Sequence, residues 1–138
     1  MKPQLITLTN TDRDFYRILG PYLANRAVHK QLGGVPWDDD TKTWYILRDH
    51  AATGRPVLGF VAVAAHGSRT TVESLYLADP AHKRIATELV GVATDRHGSS
   101  DLHTVVRREM AYAYTANGFQ KTGETKEFTR LTRKATTQ

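Results

Sequence analysis

The spacing of apolar residues changes several times along the chain, and each change marks an element. Leu5 to Leu8 alternates apolar and polar and predicts a short strand, followed by the capping-type run Thr9-Asn10-Thr11-Asp12. From Asp12, Phe15, Ile18, Leu19 and Leu23 fall at helical spacing, with Pro21 placed to bend or split the helix. A second helical piece is expected from Asn25 to Leu32; Gly33-Gly34-Val35-Pro36 breaks it, and Asp38-Asp39-Asp40 makes an acidic loop. Thr43 to Leu47, with Trp44, Tyr45 and Ile46, reads as a strand. Pro56 to Ala65 is nearly all apolar, which suits a central strand covered on both faces. Thr70 to Leu77 is the next strand, and the short turns Asp49–Pro56 and His66–Arg69 make the three an antiparallel meander.

The second half changes period again. Ala81 to Arg96 carries the clearest helical stripe, Ile85, Leu89, Val92 and Ala93, with Gly98 just beyond its end. Leu102 to Val106 predicts a strand, Arg108 to Ala116 a helix stopped by Asn117-Gly118, and Glu127 to Leu131 a last strand. The order β–α–α–β–β–β–α–β–α–β places helices on both faces of a mixed sheet, an α+β fold. One domain over residues 1–133 is expected, with a loose tail from Lys134 to Gln138.

Composition narrows the classes. The chain has 138 residues, 40% of them hydrophobic and 24% charged, a mix that builds a soluble core. No apolar run approaches the roughly 18–20 residues that cross a bilayer, so no membrane association is expected. The first residues lack the apolar stretch of a secretory signal, which suggests a cytoplasmic protein. With no cysteine, thiol catalysis, disulfide scaffolds and cysteine-based metal sites are excluded. The six histidines show no ligand spacing, so no metal site is expected. The net charge of +5 favours polyanions, either the phosphates of a nucleotide cofactor or nucleic acid. Seven of the 19 basic residues lie after Val106, however, and a basic last strand raises the charge without any ligand.

Two strings carry a family resemblance. Val72-Glu73-Ser74-Leu75-Tyr76-Leu77-Ala78-Asp79-Pro80, followed by Ile85-Ala86-Thr87-Glu88-Leu89, resembles the GNAT acyltransferases, in which a strand leads through a pyrophosphate-binding turn into a helix. Tyr114-Thr115-Ala116-Asn117-Gly118-Phe119 is similar to that family's helix ending in Tyr, three residues, then Gly-Phe. The order of elements agrees from the first strand to Leu131.

The resemblance implies a mostly antiparallel sheet of six or seven strands with a V-shaped cofactor cleft, and transfer of an acetyl or similar acyl group from acetyl-CoA to a primary amine. Leu75, Tyr76 and Leu77 would lie along the cofactor's arm. His82, Lys83, Arg84, Ile85, Ala86 and Thr87 would surround its pyrophosphate, where a helix N-terminus offers unpaired N–H groups and the positive end of its dipole. Tyr114 matches the tyrosine that protonates the departing thiolate, and Glu73 is the candidate base for the amine. The acceptor would be a small-molecule or protein amine, and a homodimer through the last strands is in keeping with the family.

One departure stands out. The family's turn reads Gln or Arg, two residues, Gly, one residue, then Gly or Ala; here Ala81 holds the first place and Arg84 that of the central glycine. Arg84 is expected to replace the lost backbone approach with a guanidinium contact to phosphate. Two other readings follow from the same departure. Mom-type phage enzymes, which modify adenine in DNA, are similar in the glycine-poor turn, and there His29, Tyr45, Ser74, Asp101 and Tyr112 would form the pocket. Alternatively the fold serves as a non-catalytic binding module.

Overall fold

The computed structural model describes residues 2–136. Its elements run β1 (Pro3–Leu8), α1 (Phe15–Leu23), α2 (Arg26–Leu32), β2 (Lys42–Asp49), β3 (Val57–His66), β4 (Arg69–Leu77), α3 (Lys83–His97), β5 (Leu102–Arg107), α4 (Ala111–Thr115), β6 (Gln120–Glu124) and β7 (Phe128–Arg133). A single 3-10 turn, Arg108–Met110, joins β5 to α4, so the helix expected from Arg108 to Ala116 is split at its start.

All seven strands form one sheet in the order β1-β2-β3-β4-β5-β7-β6. β1 to β4 are antiparallel neighbours, β4 and β5 are parallel, and β5, β7 and β6 are antiparallel again. A parallel step needs a crossover, and α3 supplies it. This is the α+β architecture expected from the order of elements.

Two cores lie on opposite faces of the sheet. On one, Phe15, Leu19 and Val28 of α1 and α2 pack on Leu8, Trp44, Ile46, Phe60 and Ala62. On the other, Ile85, Ala86, Leu89, Val90 and Ala93 of α3, with Ala113 and Tyr114 of α4, pack on Val61, Val63, Val72, Leu75 and Leu77. β3 therefore sends side chains into both cores, which explains its nearly unbroken apolar run. Gly59 lies where α3 comes close to the sheet. A Cβ there would sit 2.6 Å from the Tyr76 carbonyl oxygen and 3.1 Å from Leu89.

The edge strand β6, Gln-Lys-Thr-Gly-Glu, is absent from the sequence reading because none of its residues is apolar; its pairing with β7 alone defines it. The expected loose tail begins differently. The Ala135 N–H donates to Asp101 Oδ1 at 2.7 Å and the Thr136 N–H to the Gly98 carbonyl at 2.9 Å. Thr137 and Gln138, the rest of that expected tail, lie outside the described residues.

Candidate active site

The site begins with a failure of pairing. β4 has nine residues and β5 six, yet they pair only at Thr70–Leu102 and Thr71–His103. One step further, the Thr104 hydroxyl reaches across and donates to the Val72 carbonyl at 2.7 Å. Beyond that point the strands part. The sheet is thus split into a V whose walls are the C-terminal halves of β4 and β5.

β4 is reshaped just where the V opens. Its register with β3 jumps from Glu73–Ala62 to Tyr76–Phe60, so Ser74 and Leu75 together face Val61. This is a β-bulge, and Ser74 bears its strain with φ = 59°. After the bulge, the Ala78 N–H donates to Leu58, so the alternation of an antiparallel ladder turns the N–H and C=O of Leu77 away from β3 and into the V. Tyr76 by the same alternation turns its backbone toward β3. Its ring lies on the α1–α2 face, 5.1 Å from Phe60 and 5.7 Å from Tyr22. Of the three residues expected along a cofactor arm, Leu77 offers a backbone edge to the cleft and Tyr76 does not.

A cavity of about 370 Å³ occupies the mouth of the V, lined by Lys30 and Gln31 of α2, Leu77, Pro80, Arg107, Glu109 and Met110. Lys30, Gln31 and Arg107 have no place in the sequence reading of the site. A helix residue gives no local sign that it will meet a strand 46 positions away, as Gln31 does at Leu77. Pro80 belongs to the recognised string, and its neighbour Asp79 shapes the turn: its carboxylate accepts from the Ala81 N–H at 3.0 Å and its carbonyl from His82 at 2.9 Å.

At the start of α3, His82 occupies the N-cap position without a side-chain bond to the first turn, which leaves the helix's leading N–H groups uncapped. A second hollow of about 710 Å³, lined by Ala81, His82, Lys83, Arg84, Ile85, Glu88 and Pro3, lies around this end. The six residues expected to surround pyrophosphate behave differently from one another. Ile85 and Ala86 are buried in the core, so only their backbone can meet a ligand. Thr87 turns its hydroxyl back to the Lys83 carbonyl at 3.3 Å. His82 faces Asp79 at 3.5 Å, and the Lys83 ammonium lies 5.2 Å from the centre of the Tyr112 ring. Arg84 is 91% exposed and paired with Glu88 at 3.3 Å, one helical turn on.

The two expected catalytic residues approach the V from its two faces. Tyr114 comes from α4, fully buried, with its ring edge-on to Phe119 at 5.2 Å. Its hydroxyl lies beside that of Thr104 but makes no hydrogen bond of good geometry, since the Thr104 hydroxyl is given to the Val72 carbonyl. Burial above all, and then the nearby charge of Glu73, push its pKa well above that of an ordinary phenol, while Thr104 pulls the other way. Tyr114 therefore keeps its proton, and it is not among the residues that line the cavity. Glu73 lies on β4 just before the bulge. It pairs with Lys42 at 2.7 Å, and that lysine is itself buried, donates to the Trp37 carbonyl and lies 5.8 Å from the Trp44 ring.

The five residues of the DNA-modification reading are engaged in separate contacts. His29 Nε2 is 2.6 Å from the Leu23 carbonyl, Tyr45 meets His97, and Asp101 binds the Ala135 N–H. Ser74 forms the bulge, and the Tyr112 hydroxyl is buried without a partner. Among the described residues no group of three or more His, Asp or Glu side chains could hold a metal ion. No described helix is long and apolar enough to cross a membrane.

No protein-family model matches the chain, and no curated protein matches it in sequence. Solved structures do match in shape. Spermidine N-acetyltransferase from Vibrio cholerae, in complex with CoA and spermine, superposes with a TM-score of 0.66 at 15% identity, over 94% of this chain and 94% of that one. An N-acetyltransferase from Staphylococcus aureus gives 0.64 at 14% identity, over 98% and 99%. An aminoglycoside acetyltransferase in complex with coenzyme A gives 0.63 at 13%, over 96% and 95%. Identities this low speak for the fold and leave the chemistry to the site's own residues. The split sheet, the bulged β4 and the crossover helix α3 give this chain the fold of the GNAT N-acetyltransferases.

Proposed function

We propose that this protein is an acyltransferase that moves an acetyl or similar acyl group from a coenzyme A thioester to an amine. The observation that carries this reading is the V between β4 and β5. It leaves the β4 edge at Leu77 without a strand partner, ends in a cavity of about 370 Å³, and has an uncapped helix N-terminus at its rim. Each part suits one part of such a donor. The first turn of α3, with Lys83 beside it, suits the pyrophosphate. The edge of β4 at Leu77 suits the amides of the pantetheine arm, as an added strand would. The orphaned Tyr114 hydroxyl suits the sulfur.

The thioester supplies an activated acyl carbon, and attack by a neutral amine forms the C–N bond as the C–S bond breaks. The chain's part is to orient, to stabilise charge and to move protons. The developing oxyanion is assigned to backbone N–H groups of β4 at the Ser74–Leu75 bulge, where the strand leaves its regular register with β3. Tyr114, protonated across the physiological range, donates its hydrogen bond to the leaving sulfur, and the proton follows as that charge grows. Glu73 lies on the α1–α2 face, where its carboxylate can receive the amine's proton through water. Its pairing with Lys42 at 2.7 Å holds the carboxylate in place. Tyr114 carries the acid step and Glu73 the base step, from opposite faces of the sheet.

Calorimetric titration with coenzyme A and acetyl-CoA tests the reading. Saturable binding of both is expected, followed by release of free thiol from acetyl-CoA when a panel of amines is added. Folded protein that binds neither at millimolar concentration overturns it.

A further inference from the structure

Gln31 makes an unusual contact. From the last turn of α2, its carboxamide nitrogen donates to the Leu77 carbonyl at 2.9 Å, and its oxygen accepts from the Leu77 N–H at 2.8 Å. The exchange of both bonds with one residue is the pattern of a hydrogen-bonded pair in an antiparallel ladder. Here a side-chain amide takes the place of a missing strand. Leu77 is almost fully buried, and β5 has already diverged, so its two polar groups would otherwise lack a partner in the protein. The same helix turn is fastened to the opposite wall. Arg107, the last residue of β5, donates through Nε to the carbonyl of Lys30 at 3.1 Å. The pair Lys30–Gln31 thus clasps both arms of the V, and both residues line the cavity between them.

We propose that Gln31 is a gate, an internal amide that occupies the edge of β4 and must leave Leu77 before an amide of the acyl donor's arm can pair there. This rests on the acyl-donor reading above. The chemistry is a direct exchange: one amide replaces another on the same N–H and C=O, so no buried group is left unpaired in either state. The gate also makes a demand on the ligand. Only an arm with an amide at this depth repays the loss of Gln31, whereas a plain alkyl thioester leaves Leu77 unsatisfied.

The gate scales apparent affinity by the fraction of molecules in the open state. Two hydrogen bonds of ordinary net strength correspond to a gain of roughly 5- to 100-fold when they are removed. Coenzyme A is titrated calorimetrically into the wild-type protein, Gln31→Ala and Gln31→Glu, with thermal melts confirming that each is folded. The glutamate variant cannot donate to the Leu77 carbonyl and keeps most of the side chain's bulk. Hydrogen exchange at the Leu77 amide is followed in parallel. The expected result is tighter binding to both variants, with Leu77 exchanging faster in the free variants and protected again when coenzyme A is bound. Binding to the wild type with equal or weaker binding to both variants overturns the gate and leaves the acyl-donor reading intact; Gln31 is then a structural strut or a direct ligand contact. Binding to none of the three overturns the acyl-donor reading and the gate with it.

Discussion

The two ends of the layer formed by β4, β5 and α3 are built on opposite terms. At one end Thr70 and Thr71 pair with Leu102 and His103, Thr104 closes the seam onto Val72, and the C-terminus of α3 is tied down by His97 on Tyr45 at 2.7 Å. The Thr136 N–H and hydroxyl both reach the Gly98 carbonyl just beyond that helix. At the other end β4 and β5 separate, α3 begins without a side-chain cap, and the buried Tyr114 hydroxyl has no partner. Unsatisfied groups are costly, and the closed end carries one as well, Arg133 Nη1 near Gly98. On the acyl-donor reading, the closed end holds the V at a fixed angle and the open end offers its polar groups to the donor.

The sharpest way to break this contrast is Tyr114→Phe. The substitution removes an unpartnered buried hydroxyl and keeps the ring that packs on Phe119, so stability should hold or rise by up to about 1 kcal/mol. If the hydroxyl serves the leaving sulfur, acyl transfer should fall by roughly 100-fold or more with little change in coenzyme A binding. The pair of measurements is a steady-state assay and a denaturant melt. Unchanged turnover with altered stability would make Tyr114 a core residue and nothing else.

Thr104→Val tests the closed end. Thr104 is 1% exposed, and its hydroxyl is the last link before the strands part. Valine fills the same space but leaves the Val72 carbonyl unpaired, so a loss of about 1–3 kcal/mol is expected in chemical denaturation. Because the seam sets the angle of the V, affinity for coenzyme A should also weaken. Lost stability with unchanged affinity would mean that the angle is fixed elsewhere.

The closed end also titrates. Burial, and then the neighbouring Arg96 charge, hold the pKa of His97 below the ordinary histidine value, while burial raises that of Tyr45. The neutral ring can accept from the tyrosine hydroxyl; the protonated ring cannot. A depressed histidine binds its proton more readily in the unfolded chain, so its contribution is intact above about pH 6.5 and is lost as pH falls toward the lowered folded value. The melting temperature should therefore drop between pH 7 and pH 5, by a few degrees at most, and His97→Asn should flatten that slope. An equal slope in both proteins would assign the acid sensitivity to other groups.

How far these features could be read beforehand depends on how local their causes are. The meander, the doubly covered β3 and the crossover helix all follow from apolar spacing within each segment, and they fix the architecture. β6 does not, since its five residues are polar and only β7 makes them a strand. The bulge at Ser74 has no glycine to announce it. The Lys42–Glu73 and Gln31–Leu77 contacts join residues distant in sequence, so no window along the chain contains both partners. The Arg84–Glu88 pair is different. Its i, i+4 spacing stands in the sequence and is a known preference of helices.

That pair supplies the smallest effect and the finest test of what the open end uses to hold an anion. Ion pairs this exposed contribute little, typically within ~0.5 kcal/mol, so Arg84→Ala should leave the melt nearly unchanged. If the guanidinium stays with Glu88, the substitution should also leave coenzyme A affinity within about twofold, and Arg84→Gly should match it. Lys83→Ala should weaken binding more, because the ammonium lies over the Tyr112 ring and is free to face the first turn of α3. Titration at two salt concentrations separates charge from shape, since a lost charge matters less as screening rises. A large, salt-dependent loss from Arg84→Ala would show that the arginine leaves Glu88 for the ligand. The open end would then bind its anion through a side chain, where a glycine-bearing turn would use its backbone.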